Sequence, residues 1–382
     1  MCKRHLAWVL LAALCACESH QSKDKESPST ATAAESAAKP AKSLEPAADQ
    51  MQLPVLPPVP KSTSNPSTPE KVELGRHLFF DVRLSVDGSR SCYSCHQQAD
   101  GTGGHDPLAV GARGKQLTRH SPILWNVAYL PKLYWDSRAD SLEAQVKGAW
   151  AGANMGVGKD HLDEKARAME KLPGYRPLFR AAFPKAKINA DSVAEAISSF
   201  ERTLICNDTA YDKYAHGDKS ALSASQKRGL QLFMGKAGCS TCHTPPYFSI
   251  AYFPPGGSSF DVGIGTQGKP EADVDVGRMG ITHKQADWAA FKPPTLRNIS
   301  KSAPYFHDGS VPTLVAAVRL MASGGIDNKN KSSLLRDRHL SDAEISDLVG
   351  FLHALDCKGD LGALDPKAKE PLEKGTPEGS RK

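Results

Sequence analysis

Two short stretches decide the fold of this chain: Cys92-Tyr93-Ser94-Cys95-His96 and Cys239-Ser240-Thr241-Cys242-His243. Each has the C-x-x-C-H spacing that is typical of c-type haem attachment. One turn of chain presents two thiols to the porphyrin vinyl groups, and the adjacent histidine binds the iron. A single copy is also compatible with a zinc or redox C-x-x-C site, but two copies in one chain favour two haem c groups. The predicted attachment residues are Cys92, Cys95, Cys239 and Cys242, and the predicted axial ligands are His96 and His243.

The length and composition of the whole chain limit its class. Its 382 residues are enough for two or three domains. Hydrophobic residues make up 40% and charged residues 24%, which excludes a wholly disordered chain and a polytopic membrane protein. The formal net charge of +6 is mild and no basic cluster stands out, so we expect no nucleic-acid partner.

The N-terminus has the pattern of a bacterial export signal. Lys3 and Arg4 precede an apolar run that is too short to span a membrane as a mature helix. The run ends in Leu-Cys-Ala-Cys, which resembles a lipobox with Cys17 as the lipidated first mature residue. An ordinary signal peptide cleaved nearby is the alternative. We therefore predict a signal peptide over residues 1–17 and a periplasmic protein that a lipid anchors to a membrane.

Two segments have compositions that do not support a packed core. Residues 18–66 are rich in Ser, Ala, Lys, Glu and Pro without an apolar period, which predicts a flexible linker. Residues 358–382 are charged and contain Pro and Gly, which predicts a disordered tail.

The remaining chain is a weak internal repeat around the two haem motifs. Both copies carry G-x-x-L-F before the motif, at Gly75 and at Gly229, and both end in an amphipathic helix pattern. A glycine at that position allows a second helix to approach closely, as in crossed helices of cytochrome c folds. We predict a mainly α protein of two cytochrome c-like domains with long loops, over residues 67–210 and 211–357.

Two further cysteines, Cys206 and Cys357, each follow one of the closing helices. In an oxidising compartment they could form a disulfide, and two separate thiols are the alternative. The sequence alone does not place their Cα atoms within bonding range.

Four more blocks follow in order along the chain. They are Tyr134-Trp135-Asp136-Ser137-Arg138, Leu142-Glu143-Ala144-Gln145, Phe291-Lys292-Pro293-Pro294-Thr295-Leu296-Arg297-Asn298 and Pro304-Tyr305-Phe306-His307-Asp308-Gly309. With the two haem motifs, they make residues 69–355 resemble the bacterial di-haem cytochrome c peroxidase/MauG family. The resemblance implies that the first haem reacts with peroxide and that the second transfers electrons.

The resemblance also implies a set of residues around the first haem. Trp135 matches a redox-active tryptophan between the haems, Gln145 matches a residue that orients peroxide, and Tyr134 should line the same pocket. Asn154 stands where the family has a glutamate that acts as the acid and base in O–O cleavage. An amide donates and accepts hydrogen bonds but does not shuttle a proton.

Ala112 stands where many family members carry a distal histidine that closes the first haem in the oxidised state. His105 and His120 flank this position; binding of the iron by either one is the alternative, but we expect both to be exposed loop residues. The resemblance therefore predicts a first haem that needs no reductive activation.

For the second haem, the resemblance places the axial methionine at Met321, in a short helical pattern after the last block. Met279 is the alternative ligand, and a core side chain is the alternative role for Met321. His307 should order the surroundings of this haem. A structural Ca²⁺ would lie between the domains in the family, but His120 occupies the place of its asparagine ligand, and imidazole is a poor Ca²⁺ ligand.

The sequence thus predicts a peroxidase that reduces hydrogen peroxide with electrons from a small donor protein, a cytochrome c or a cupredoxin, and that could form a homodimer. One alternative is a MauG-like enzyme that oxidises a residue on a partner protein. The other is an electron-transfer cytochrome without catalytic activity.

Overall fold

Helices and long loops build the part of the chain that the computed structural model describes, residues 48–357. The helices are α1 (Pro69–Phe80), α2 (Leu142–Ala151), α3 (Leu162–Lys171), α4 (Tyr175–Ala182), α5 (Ala190–Glu201), α6 (Ala210–Ala215), α7 (Ala224–Met234), α8 (Met279–Thr282), α9 (Leu314–Ala322) and α10 (Asp342–His353). Short 3-10 turns and isolated β-bridges occupy the connections, and residues 48–357 contain no β-strand. The predicted mainly α class is confirmed.

The predicted signal peptide with Cys17, most of the predicted linker and the tail over residues 358–382 lie outside the described residues. In the described part, no helix is both long enough and apolar enough to cross a membrane.

The last part of the predicted linker, residues 48–66, lies against the folded domains. Asp49 accepts a hydrogen bond from the Tyr214 hydroxyl at 2.7 Å, and the Pro57 carbonyl accepts one from the Tyr129 hydroxyl at 2.9 Å. The segment therefore joins the fold earlier than its composition indicates, because ring hydroxyls of the domains bind its backbone and side chains.

Two crossed helix pairs form the framework of the haem domains. Helix α1 packs on α5, and α7 packs on α10. A side-chain hydroxyl caps the N-terminus of the first helix in each pair. The Thr68 hydroxyl accepts from the Lys71 N–H before α1, and Ser223 forms a capping box with Gln226 before α7.

The two repeat glycines lie where these helices cross. A Cβ atom at Gly75 would lie 1.9 Å from the Ala196 carbonyl oxygen of α5, and one at Gly229 would lie 2.0 Å from the Asp347 carbonyl oxygen of α10. Any side chain at these positions would push the helices apart, which confirms the role predicted for the G-x-x-L-F motif.

Replacing Gly75 by alanine is expected to lower the free energy of unfolding by at least about 2 kcal/mol, because the methyl group meets backbone that cannot rotate away. The measurement is chemical denaturation of the haem-loaded protein. Gly280→Ala is the control, since a Cβ there meets only the Val276 side chain at an ordinary 3.5 Å. Equal denaturation midpoints for the two variants would contradict this account of the crossing.

Cys206 and Cys357 form a disulfide, with their Cα atoms 5.5 Å apart. Asn126 and Asn298 hold the two cysteine backbones: their side-chain oxygens accept the Cys206 and Cys357 N–H groups at 2.8 and 2.9 Å. Both asparagines adopt the left-handed conformation. The disulfide joins the ends of the two predicted domains, and the alternative of separate thiols is wrong.

Candidate functional site

The two motif histidines are half-buried and fixed through one ring nitrogen. The Nδ1 of His96 lies 2.8 Å from the Thr102 carbonyl oxygen, and the Nδ1 of His243 lies 3.1 Å from the carbonyl oxygens of Phe248 and Pro294. Donation from Nδ1–H leaves the Nε2 lone pair for a metal, which is the usual arrangement of an axial haem ligand. Burial lowers the pKa of each imidazole to about 4, so both stay neutral and ready to bind iron.

The motif cysteines extend from the same turns as these histidines. Each C-x-x-C segment forms a short 3-10 turn, and the N–H of the following histidine bonds back to the Cys92 or the Cys239 carbonyl oxygen. The four motif thiols are half-buried and take part in no disulfide. Two thiols and one imidazole from a single turn fit the attachment of a haem group.

A cavity of about 490 Å³ lies beside the first motif. Cys95 and His96 line it, together with Glu201 of α5 and Lys292 of the second half of the chain. The residues that the sequence predicted for the catalytic site also line this cavity: Tyr134, Trp135, Gln145 and Asn154. The fold thus brings all four to one place beside His96.

Helix α2 and the loop before it position two of these residues. The Tyr134 hydroxyl donates to the Gln145 carbonyl oxygen at 3.0 Å, and the Arg138 guanidinium lies 3.4 Å from the centre of the Tyr134 ring. Burial raises the pKa of Tyr134, which keeps its hydroxyl proton in place. Tyr134 is therefore a fixed wall of the cavity, next to the turn of α2 that carries Gln145.

Asn154 is exposed at the edge of the cavity, and its backbone is bound to the loop of Ala112. The Ala112 N–H lies 3.2 Å from the Ala153 carbonyl oxygen and 3.0 Å from that of Asn154. A Cβ at Gly111 would lie 2.1 Å from the same Ala153 oxygen. The loop of Ala112, where the resemblance led us to look for a distal histidine, is packed against the backbone of Ala153 and Asn154.

The two histidines that flank Ala112 have different surroundings. The His105 side chain is 57% exposed and pairs with Asp100 at 3.2 Å, as expected for a loop residue. His120 is only 5% exposed, so the expectation that it is exposed is wrong. Its Nδ1 lies 2.8 Å from the Asp106 carbonyl oxygen, and its backbone belongs to the contact between the two halves of the chain.

That contact is built from a second internal repeat, residues 119–139 and 291–311. The residues of the two copies match one to one without a gap. Each copy ends in an isolated antiparallel β-bridge at the matching position. The bonds between the copies are reciprocal: the His120 N–H donates to the His307 carbonyl oxygen at 2.7 Å, and its counterpart, the Lys292 N–H, donates to the Trp135 carbonyl oxygen at 2.8 Å. Trp135 and His307 hold equivalent positions in this pseudo-symmetric contact.

Trp135 lies between the cavity and the second haem motif. The indole is buried and donates to the His120 carbonyl oxygen at 2.8 Å. Its backbone binds Lys292, two residues before Pro294, whose carbonyl oxygen contacts the Nδ1 of His243. A short series of bonded residues thus leads from the cavity to His243.

His307 and the two candidate methionines belong to the second half of the chain. The His307 ring is buried, stacks on Phe291 with centroids 3.6 Å apart, and lies 6.5 Å from the Trp135 ring. Met279 packs against a small cluster around Trp288, as a core side chain does. Met321 is half-buried near the C-terminus of α9.

Charged groups cross-link the two halves beside the cavity. Arg119 donates to Asp275 with two nitrogens, at 2.6 and 2.8 Å, and to Asp136 at 2.6 Å. Burial alone would raise the pKa of Asp275, but the bonds from Arg119 lower it overall. The Lys292 side chain is 6% exposed, and burial lowers its pKa to about 8. Sequence reasoning missed Lys292, Arg119 and Glu201 as cavity residues, because only tertiary packing brings them there.

Comparisons with known proteins identify the family. The model of the di-haem cytochrome c peroxidase family matches residues 69–220, and a RoxA-like, cytochrome c-like model matches residues 290–322. The chain is 39% identical over 299 residues to the methylamine utilization protein MauG of Methylorubrum extorquens, covering 78% of this chain and 81% of that protein. It is 35% identical over 328 residues to the cytochrome c551 peroxidase of Pseudomonas aeruginosa, covering 82% of this chain and 86% of that protein.

One solved structure extends the similarity over the whole fold. A MauG-like protein associated with microbial copper homeostasis matches with a TM-score of 0.74 and 30% identity, covering 84% of this chain and 98% of that chain. The family-model match over residues 69–220 includes the first haem motif and the cavity residues Tyr134, Trp135, Gln145 and Asn154. The chain therefore belongs to the di-haem cytochrome c peroxidase/MauG family.

Proposed function

We propose that this protein reduces hydrogen peroxide to water with electrons that a small donor protein, a cytochrome c or a cupredoxin, delivers through the C-terminal haem. The observation that carries the proposal is the single cavity that joins His96 with Tyr134, Gln145 and Asn154, and that Trp135 connects to the second half of the chain. Peroxide reduction needs this combination of an open site and a route for electrons.

Both motifs fit haem c. In the proposed holoprotein, Cys92 and Cys95 would hold the first haem and Cys239 and Cys242 the second, with His96 and His243 as iron ligands. Met321 would be a further ligand of the second haem, and a thioether ligand raises the potential. Haem iron supplies the redox chemistry that breaks the O–O bond, and the chain supplies binding, orientation and protons.

The roles of the cavity residues follow from their chemistry. The Gln145 side chain holds peroxide by hydrogen bonds, against the wall that Tyr134 forms. Asn154, at the edge, donates or accepts a further hydrogen bond but cannot release a proton at ordinary pH. Trp135 carries electrons from the second half of the chain to the cavity.

The location and the remaining partners are also proposals. Residues 1–17 would direct export to the periplasm, with lipidation at Cys17 and the linker as the tether; homodimer formation stays a prediction. Calcium also stays a prediction, because His120 presents nitrogen where the family presents an amide oxygen. The described residues contain no group of three or more His, Cys, Asp and Glu side chains that could hold a metal ion.

The test of this function is peroxide turnover by the haem-loaded protein with a reduced small cytochrome c. Asn154→Glu is expected to raise kcat by at least about tenfold, because it restores an acid at the cavity edge. Asp160→Asn, an exposed change on the same stretch, is the control and should leave kcat unchanged. A wild type without peroxide turnover would contradict the proposed function.

The 39% identity with MauG favours a second candidate, the peroxide-dependent oxidation of a residue on a partner protein. Modification of a co-expressed neighbouring protein by peroxide, without turnover of reduced cytochrome, would favour that function. Resting absorption and EPR spectra separate both enzymes from a non-catalytic cytochrome. The enzymes require one five-coordinate haem, whereas the cytochrome has two six-coordinate low-spin haems.

A further inference from the structure

Glu201, the last residue of α5, is a buried carboxyl group in the wall of the cavity. The residue is 4% exposed and lines the same space as His96 and Gln145. Its Oε2 has no hydrogen-bond partner among the described residues. An unpartnered buried polar group costs stability, so its presence beside a reaction site points to a use.

The charged neighbours of Glu201 bind each other instead. Arg202, the next residue, lies 2.8 Å from Glu143 of α2, and Glu143 also accepts from the Asn65 side chain at 2.6 Å. Glu143 adds negative charge near Glu201, and Arg202 adds positive charge. The Cys92 thiol is the other titratable group that interacts with Glu201.

The internal repeat shows that packing does not require an acid at this position. Helix α10 is the counterpart of α5 in the second domain, and its Phe351 and Cys357 match Phe200 and Cys206. The residue that matches Glu201 is Leu352, which is 6% exposed and part of the core. The first domain thus keeps a carboxyl group where the second domain keeps a leucine.

Burial raises the pKa of Glu201 to about 8. The negative charge of Glu143 adds to this rise, and the positive charge of Arg202 opposes it. The carboxyl group therefore carries its proton at neutral pH. Peroxide reduction consumes protons: hydrogen peroxide, two protons and two electrons give two water molecules, as the O–O bond breaks. The donor protein supplies the electrons, but Asn154 cannot supply a proton.

We propose that Glu201 is the proton-supplying acid of the cavity, in place of the acid that is absent at position 154. The inference rests on the proposed function, because it assigns a source for protons consumed in that reaction. The carboxyl group gives the two protons one after the other, and solvent reprotonates the carboxylate after each transfer.

The test compares Glu201→Gln and Glu201→Leu with the wild type. Single-turnover reaction of the reduced protein with peroxide should slow about 100-fold in both variants at neutral pH. In the wild type the rate should fall as the pH rises through about 8, where Glu201 loses its proton, and this step should vanish in Glu201→Gln. Glu201→Leu introduces the residue that the second domain has at the matching position, so this variant is expected to fold. A slow rate in it therefore reports the loss of the acid and not a folding defect.

An infrared measurement tests the protonation without any turnover. The wild type should show a protonated carboxyl C=O band at pH 7 that is absent in Glu201→Gln. Glu195→Gln, on the same helix but outside the cavity and paired with Lys71 at 2.9 Å, should keep both the band and the rate. A wild-type rate and pH profile in Glu201→Gln, or no such band, would overturn this inference alone. No peroxide turnover in the wild type would overturn the proposed function and this inference together.

Discussion

Replacing Arg297 by methionine is expected to lower the free energy of unfolding by about 3–5 kcal/mol. The guanidinium is fully buried and makes two bonds to Asp212, at 2.7 and 2.8 Å. Further bonds go to the carbonyl oxygens of Pro246, at 2.8 and 3.0 Å, and of Cys206, at 3.2 Å. Methionine would fill the space but leave the Asp212 carboxylate buried without a counter-charge.

The variant should also disturb the second haem site, because Pro246 lies three residues after His243. Denaturation followed by haem absorption measures both effects. Arg319→Met is the control: its pair with Asp342 at 2.7 Å is exposed, so the loss should stay below about 1 kcal/mol. Equal losses in the two variants would contradict the importance of the buried pair.

The stability difference between wild type and Arg297→Met should depend on pH, which gives a second test of the Arg297–Asp212 pair. Burial alone would raise the pKa of Asp212, but the bonds from Arg297 and Thr209 lower it below the ordinary value of 3.8. A carboxyl group with a lowered pKa stabilises the fold above its unfolded pKa, and this contribution is lost as the pH falls through the folded pKa. The difference between wild type and Arg297→Met should therefore shrink below about pH 4.

Local spacing explains which features the sequence predicted. The C-x-x-C-H turns and the glycines Gly75 and Gly229 depend on residues a few positions apart, and their roles in the fold agree with the pattern. The resemblance to the family also predicted which residues meet in the cavity, including Gln145 and Asn154. The predictions for the turns and the glycines rest on chemistry that a short segment carries by itself, whereas those for the cavity rest on the resemblance.

The features that the sequence did not predict depend on contacts between distant segments. The Cys206–Cys357 pairing spans 151 residues and could not be decided from spacing. His120 is buried where its backbone N–H donates to the His307 carbonyl oxygen, a contact between segments that are far apart in the sequence. Glu201 has no distinctive local pattern, and only the alignment of α5 with α10, which sets it against Leu352, could have singled it out from the sequence.

Replacing Trp135 by phenylalanine is expected to slow electron transfer between the haems by at least about tenfold, which corresponds to about 1.4 kcal/mol of activation free energy. Phenylalanine removes the indole and its bond to the His120 carbonyl oxygen. It leaves the backbone bond from Lys292 in place, so the contact between the two halves should persist. The loss therefore concerns the electron route rather than the fold.

The matched control for this variant is Trp150→Phe. Trp150 is also buried and donates its indole N–H to a backbone carbonyl, that of Leu84, at 3.0 Å, but it lies outside the cavity wall. Both changes should lower stability to a similar extent, whereas only the first should slow the transfer. Stopped-flow spectroscopy of the half-reduced protein mixed with peroxide measures the transfer rate. If both variants slowed it equally, general packing would set the rate, rather than the position of Trp135 in the cavity wall and between the two halves of the chain.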